Sequence, residues 1–119
     1  MSIRLERESP GVFRMEISGT LRRSEVEECE GQLSQEMQGG ATVRLLVVLE
    51  RFEGWGAGDD WNDLSFYVKH GDAIERIAIA GEEKWRSEAL MFAAADLRTA
   101  PVEFFPTGGI GIARAWLRE

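Results

Sequence analysis

The chain is poor in the residues from which most catalytic and metal sites are assembled. Its 119 residues include one histidine and one cysteine, His70 and Cys29. A lone cysteine closes no intramolecular disulfide, and a lone histidine excludes a His-rich metal site. Gly-x-Ser-x-Gly, Cys-x-x-Cys and Gly-x-x-x-x-Gly-Lys are all missing, which removes the usual starting points for acyl transfer, thiol redox chemistry and phosphate binding. Apolar runs such as Leu45 to Leu49 are strand-sized, far short of the roughly 20 residues of a transmembrane helix. The opening MSIRLERES lacks the apolar core of a signal peptide. The expectation is a cytoplasmic protein with no catalytic residues, no metal and no cofactor.

Positive charge is also scarce. Fourteen Lys and Arg face 21 Asp and Glu, a net charge of −7, which repels phosphate backbones and disfavours nucleic-acid binding. With 44% hydrophobic and 29% charged residues, the composition is that of one globular α/β domain spanning 1–119.

Ile3 and Leu5, then Val12 to Ile17, flank the turn Ser9-Pro10-Gly11 and predict a hairpin. Ser24 and Glu27 have capping-box spacing. They precede Val26, Cys29, Leu33 and Met37 at helical intervals, until Gly39-Gly40 ends the pattern. Cys29 thus reads as a small core hydrophobe before it reads as a reactive thiol. Thr42 to Leu49 is nearly all apolar and β-branched, as a strand buried on both faces requires, and is the candidate sheet centre. Arg51 to Gly58 is expected as a loop. Asp59 or Asp60 then caps a helix carrying Trp61, Leu64, Tyr67 and Val68, with Lys69-His70 suiting its C-terminal dipole. A strand at Ile74 to Ala80, a helix opened by Glu82 and Glu83, a strand at Val102 to Phe105 and a helix at Ile112 to Leu117 complete the order β-β-α-β-α-β-α-β-α. Alternating strands and helices predict a largely parallel sheet with a mixed edge.

The ordered series Arg51-Phe52-Glu53-Gly54-Trp55, Trp61-Asn62-Asp63, Glu75 to Gly81, Lys84-Trp85, Glu103-Phe104-Phe105 and Ala113 to Leu117 resembles the SpoIIAA-like family of bacterial STAS-related proteins. The resemblance implies a STAS-like mixed β-sheet with helices packed on one side, a fold also likened to CRAL-TRIO lipid-binding domains. It implies no established activity. Partner-switching STAS relatives, which act in anti-sigma-factor pathways, carry a phosphorylatable serine in an Asp-Ser-Ser-Gly stretch after the central strand. Gly56-Ala57-Gly58-Asp59-Asp60 stands there without one, and Ser65 lies further along.

In open α/β sheets ligands sit beyond the carboxyl ends of the strands, which groups residues 51–61, 81–85 and 106–111 on one rim. Phe52, Trp55, Gly56, Trp61 and Trp85 are therefore the candidate ligand-binding residues. The bland alternative makes Trp61 and Trp85 core anchors and Trp55 a lid or plug. Glu53, Asp59, Asp60 and Asp63 fit no known cation loop and are read as caps and solvated charge. Two occupants remain open: a lipid-like small molecule, with transient peripheral membrane contact, or a protein partner in a regulatory pathway. A dimer is compatible with either.

Overall fold

The structure is a computed structural model, and it describes residues 3–58, 71–95 and 100–119. The expected second helix, with Trp61, Ser65 and His70, lies outside the described residues, as do Asp59, Asp60, Asp63 and Asp96.

β1 (Ile3–Ser9) and β2 (Val12–Leu21) form the expected hairpin, with Gly11 at φ 76° in its turn. α1 (Arg23–Glu36) returns the chain to β3 (Val43–Trp55). β4 (Ile74–Gly81), α2 (Arg86–Phe92), β5 (Val102–Pro106) and α3 (Ile110–Leu117) follow. The five strands lie in the order β1-β2-β3-β4-β5, with β1 antiparallel to β2 and every later pair parallel. β3 is the sheet centre, as its apolar run requires.

Alternation along β3 divides the core between the two faces. Leu45, Val47 and Leu49 join Ile77 and Ile79 beneath Val26, Cys29 and Leu33 of α1 and Ala89 of α2. Leu46 and Val48 join Val12 and Ala78 beneath Ala113 and Leu117 of α3. The one-sided arrangement therefore describes α1 and α2, while α3 packs on the opposite face. The cause is readable in the strand: a β3 apolar on both faces leaves Leu46 wet unless something covers it, and Leu46 is fully buried.

Two arginines on neighbouring strands secure α3. Arg44 Nη1 donates to the Leu117 carbonyl at 2.6 Å, and Arg76 Nη1 to the Trp116 carbonyl at 2.9 Å. These are the carbonyls a helix end leaves without intrahelical partners, and cations suit that end of the dipole. Arg114 meets Glu8 at 2.6 Å, joining α3 to the hairpin.

Several boundaries differ from expectation. α1 begins at Arg23, with Arg22 at its N-cap and no side-chain cap. Ser24 and Glu27 thus fall inside the helix, where Glu27 pairs with Arg23 at 3.4 Å instead of closing a capping box. α3 starts at Ile110, two residues early, because the turn Thr107–Gly109 already winds the chain. The largest correction is that Arg51 to Trp55 is strand rather than loop.

Candidate functional site

The extension of β3 decides where its aromatics point. Past Leu49 the strand departs from regular alternation: Arg51 has φ 52°, Gly54 has φ 117°, and the β2–β3 register shifts on either side of Gly19. Such irregularities re-aim side chains without ending a ladder. Pairing resumes at Gly19↔Phe52 and runs to Leu21↔Trp55, and the Gly56 N–H donates to the Leu21 carbonyl at 2.7 Å. Trp55 is therefore held in a sheet and half-buried against the core, not carried on a free loop.

Phe52, Trp55 and Trp85 converge. Phe52 lies edge-on to both tryptophans, with ring centroids 4.9 Å apart in each case, and Trp55 and Trp85 are 5.9 Å apart. Phe92 of α2 adds a fourth ring 5.9 Å from Trp55. Edge-to-face packing at these separations adds about 0.5–1.5 kcal/mol per pair beyond area burial. Gly54 lies against the indole, where a Cβ would meet Trp85 Cη2 at an ordinary contact distance of 3.5 Å, and it is the backbone at φ 117° that requires glycine there. Of the five candidates, Phe52, Trp55 and Trp85 come together and Gly56 adjoins them, while Trp61 is outside the described residues. Phe92 was missed, since its position on a helical stripe marks it only as core.

Trp85 serves both readings. It anchors α2 to the core and also closes the rim, with Lys84 Nζ 5.3 Å from its ring centroid. Its indole Nε1 is buried and makes no hydrogen bond among the described residues.

Next to this cluster a partly open cavity of about 120 Å³ lies between the sheet and the first two helices. Its walls include Leu33, Leu45, Val47, Ile77, Phe52, Trp55, Ala89 and Phe92, and its described charged residues are Arg23 and Glu30, paired at 3.7 Å. Met91, on its margin, is 78% exposed. Cys29 of α1 is buried and does not line this cavity, and burial, helped by Glu30 and Glu28, pushes its thiol up to about 12. Glu53 is exposed on β3, and no three His, Cys, Asp or Glu among the described residues group as metal ligands.

A mixed five-stranded sheet with this order of strands and crossover helices defines a STAS-like domain. The SpoIIAA-like family model matches residues 12–118, and the chain belongs to the SpoIIAA-like family. Among solved structures it is similar to an uncharacterised protein of Shewanella loihica PV-4 with a SpoIIAA-like fold. That match has 24% identity and a TM-score of 0.73, and covers 97% of this chain and 91% of the other. It is also similar to the anti-sigma factor antagonist SpoIIAA in its unphosphorylated form, at 16% identity and a TM-score of 0.61, covering 96% and 97% of the two chains. These likenesses carry the fold. No curated protein matches the sequence. No helix among the described residues is long and apolar enough to cross a membrane.

Proposed function

We propose that the domain is a non-enzymatic binding module that holds an apolar or amphipathic, lipid-like small molecule against Phe52, Trp55 and Phe92. The observation that carries this reading is the cavity beside them, whose described lining is apolar apart from the Arg23–Glu30 pair. Apolar cavities near 150 Å³ stay dry and take up molecules of about six carbons, and this one measures about 120 Å³. Drug-sized ligands need roughly 300 Å³ or more. The cavity therefore suits one end of a chain or a single ring, with any headgroup left beside Arg23 and Glu30. Six buried carbons contribute about 5 kcal/mol, a Kd between roughly 1 and 0.1 mM. The native ligand is longer and binds more tightly through further contacts at the rim, where Trp55 and Met91 stand, so that it stays bound through purification.

Tryptophan emission titrated with n-alkanoic acids of four to ten carbons tests this. Affinity is expected to rise with chain length up to about six carbons and then flatten. Ala89→Leu, which fills the cavity, is expected to abolish the response. Emission unmoved by the whole series, or unchanged binding by a folded A89L variant, overturns the proposal.

A second reading, a protein-interaction module of the anti-sigma-factor antagonist kind, draws on Met91 standing exposed beside half-buried aromatics. Gly56, Ala57 and Gly58 offer no hydroxyl to phosphorylate, so such a module would work without the usual serine switch at that place. Recovery of a sigma-factor regulator or kinase on the immobilised domain, lost with Met91→Glu and insensitive to A89L, favours this reading over the first.

A further inference from the structure

A second concavity borders α1 through Glu25, Glu28, Cys29 and Gln32, none of which lines the aromatic cavity. β1 is an outer strand of the sheet; β2 is its only neighbour among the described residues. Its free edge opens onto a groove of about 300 Å³ shared with α1. Ile3, Leu5 and Cys29 line its apolar part, while Glu25, Glu28 and Gln32 stand along the helix. An outer strand offers unpaired N–H and C=O groups, which an extended peptide satisfies by adding a strand. Alternate side chains of that peptide then fall into any groove beside the edge.

Charge selects the occupant. α1 carries Glu25, Glu27, Glu28, Glu30 and Glu36 against Arg23 alone. Arg4, the one cation among the groove's described residues, is paired with Glu6 along its own strand, and Glu6 also holds Arg14 at 3.1 Å. A second copy of this chain would bring another acidic α1 alongside the first, on a molecule already at −7, so self-pairing through this edge is opposed. A basic strand meets no such opposition.

We infer that the β1 edge and the β1–α1 groove form a docking surface for an extended basic segment of a partner protein. The segment adds antiparallel or parallel to Ile3–Arg7, places an apolar side chain over Leu5 and directs Lys or Arg towards Glu28. The bulge between Arg7 and Ser9 limits the addition to about five residues. This surface is independent of the aromatic cavity.

The test uses a fluorescein-labelled peptide, Lys-Val-Lys-Val-Lys-Val-Lys with blocked ends, together with its Glu-for-Lys counterpart. Saturable anisotropy change is expected with the basic peptide only, weakening as salt rises. Glu28→Lys combined with Gln32→Lys, both exposed positions, is expected to weaken it about tenfold, while A89L leaves it unchanged. Hydrogen exchange of the amides at 3–7 is expected to slow on binding. Equal binding of the acidic peptide, binding without protection at 3–7, or concentration-dependent protection of 3–7 with no peptide present, the mark of a second copy on the edge, each overturns the inference.

Discussion

Gly54 holds a backbone conformation that side chains rarely adopt, beside the indole of Trp85. With φ at 117° and the indole 3.5 Å from where a Cβ would be, Gly54→Ala should cost about 1–3 kcal/mol by backbone strain alone. Urea denaturation measures that loss, and native emission should stay unshifted, because the added Cβ meets Trp85 only at ordinary contact distance. Trp85 itself yields a paired expectation. Because its Nε1 is buried without a partner among the described residues, Trp85→Phe removes an unsatisfied donor along with some packing and should be nearly neutral. Trp85→Ala should cost about 3–5 kcal/mol. Equal losses for the two variants would mean that the indole nitrogen has a partner. Cys29 couples to pH. Its thiol is raised to about 12 when folded, from an ordinary 9.0, so below pH 9 both folded and unfolded forms keep the proton and nothing is lost. Between about 9 and 12 only the unfolded chain releases it, and stability falls with rising pH. Cys29→Ala should remove that part of the alkaline loss, and the native thiol should resist a disulfide reagent at pH 8.

At the scale of elements, α3 is the part most exposed to a local test, because it covers its face of the sheet alone among the described helices. Arg44 and Arg76 hold its final carbonyls, and Arg76 also lies 5.0 Å from the Trp116 ring centroid. Each partly buried, charge-assisted contact is worth about 1 kcal/mol. Arg44→Ala with Arg76→Ala should speed amide exchange in 110–117 before the sheet, and uniform acceleration throughout the domain would contradict the clamp. The same element shows what the sequence could convey. Strands and helices with clear periodicity were legible: the hairpin around Pro10-Gly11, the apolar β3 and the α1 stripe of Val26, Cys29 and Leu33 all stand as read. The C-terminal half of β3 was not, since the left-handed backbone at Arg51 and Gly54 breaks the alternation that identifies a strand. That misplacement made Trp55 look like a loop residue. The face chosen by α3 was equally hidden, because it follows from what Leu46 and Val48 require rather than from any signal in the helix. Phe52, Trp55 and Trp85 could be grouped from their places at strand ends alone, whereas their contact with Phe92 needed the tertiary packing.

For the whole molecule, charge and apolar surface distinguish two concavities that share α1 as a wall. An acidic helix borders the β1 edge, and an apolar cavity with an aromatic wall opens beside the carboxyl ends of the parallel strands. The net charge of −7 opposes anionic surfaces generally, so an amphipathic ligand has to gain its affinity from its chain and from Arg23 and the rim. Native mass spectrometry of the protein purified from its own host tests the central claim most directly. The account predicts a discrete non-covalent adduct of lipid-like mass, released by organic solvent and missing from A89L prepared in the same way. A wild-type protein that flies only at its bare mass, or an adduct kept in full by the cavity-filled variant, would contradict it.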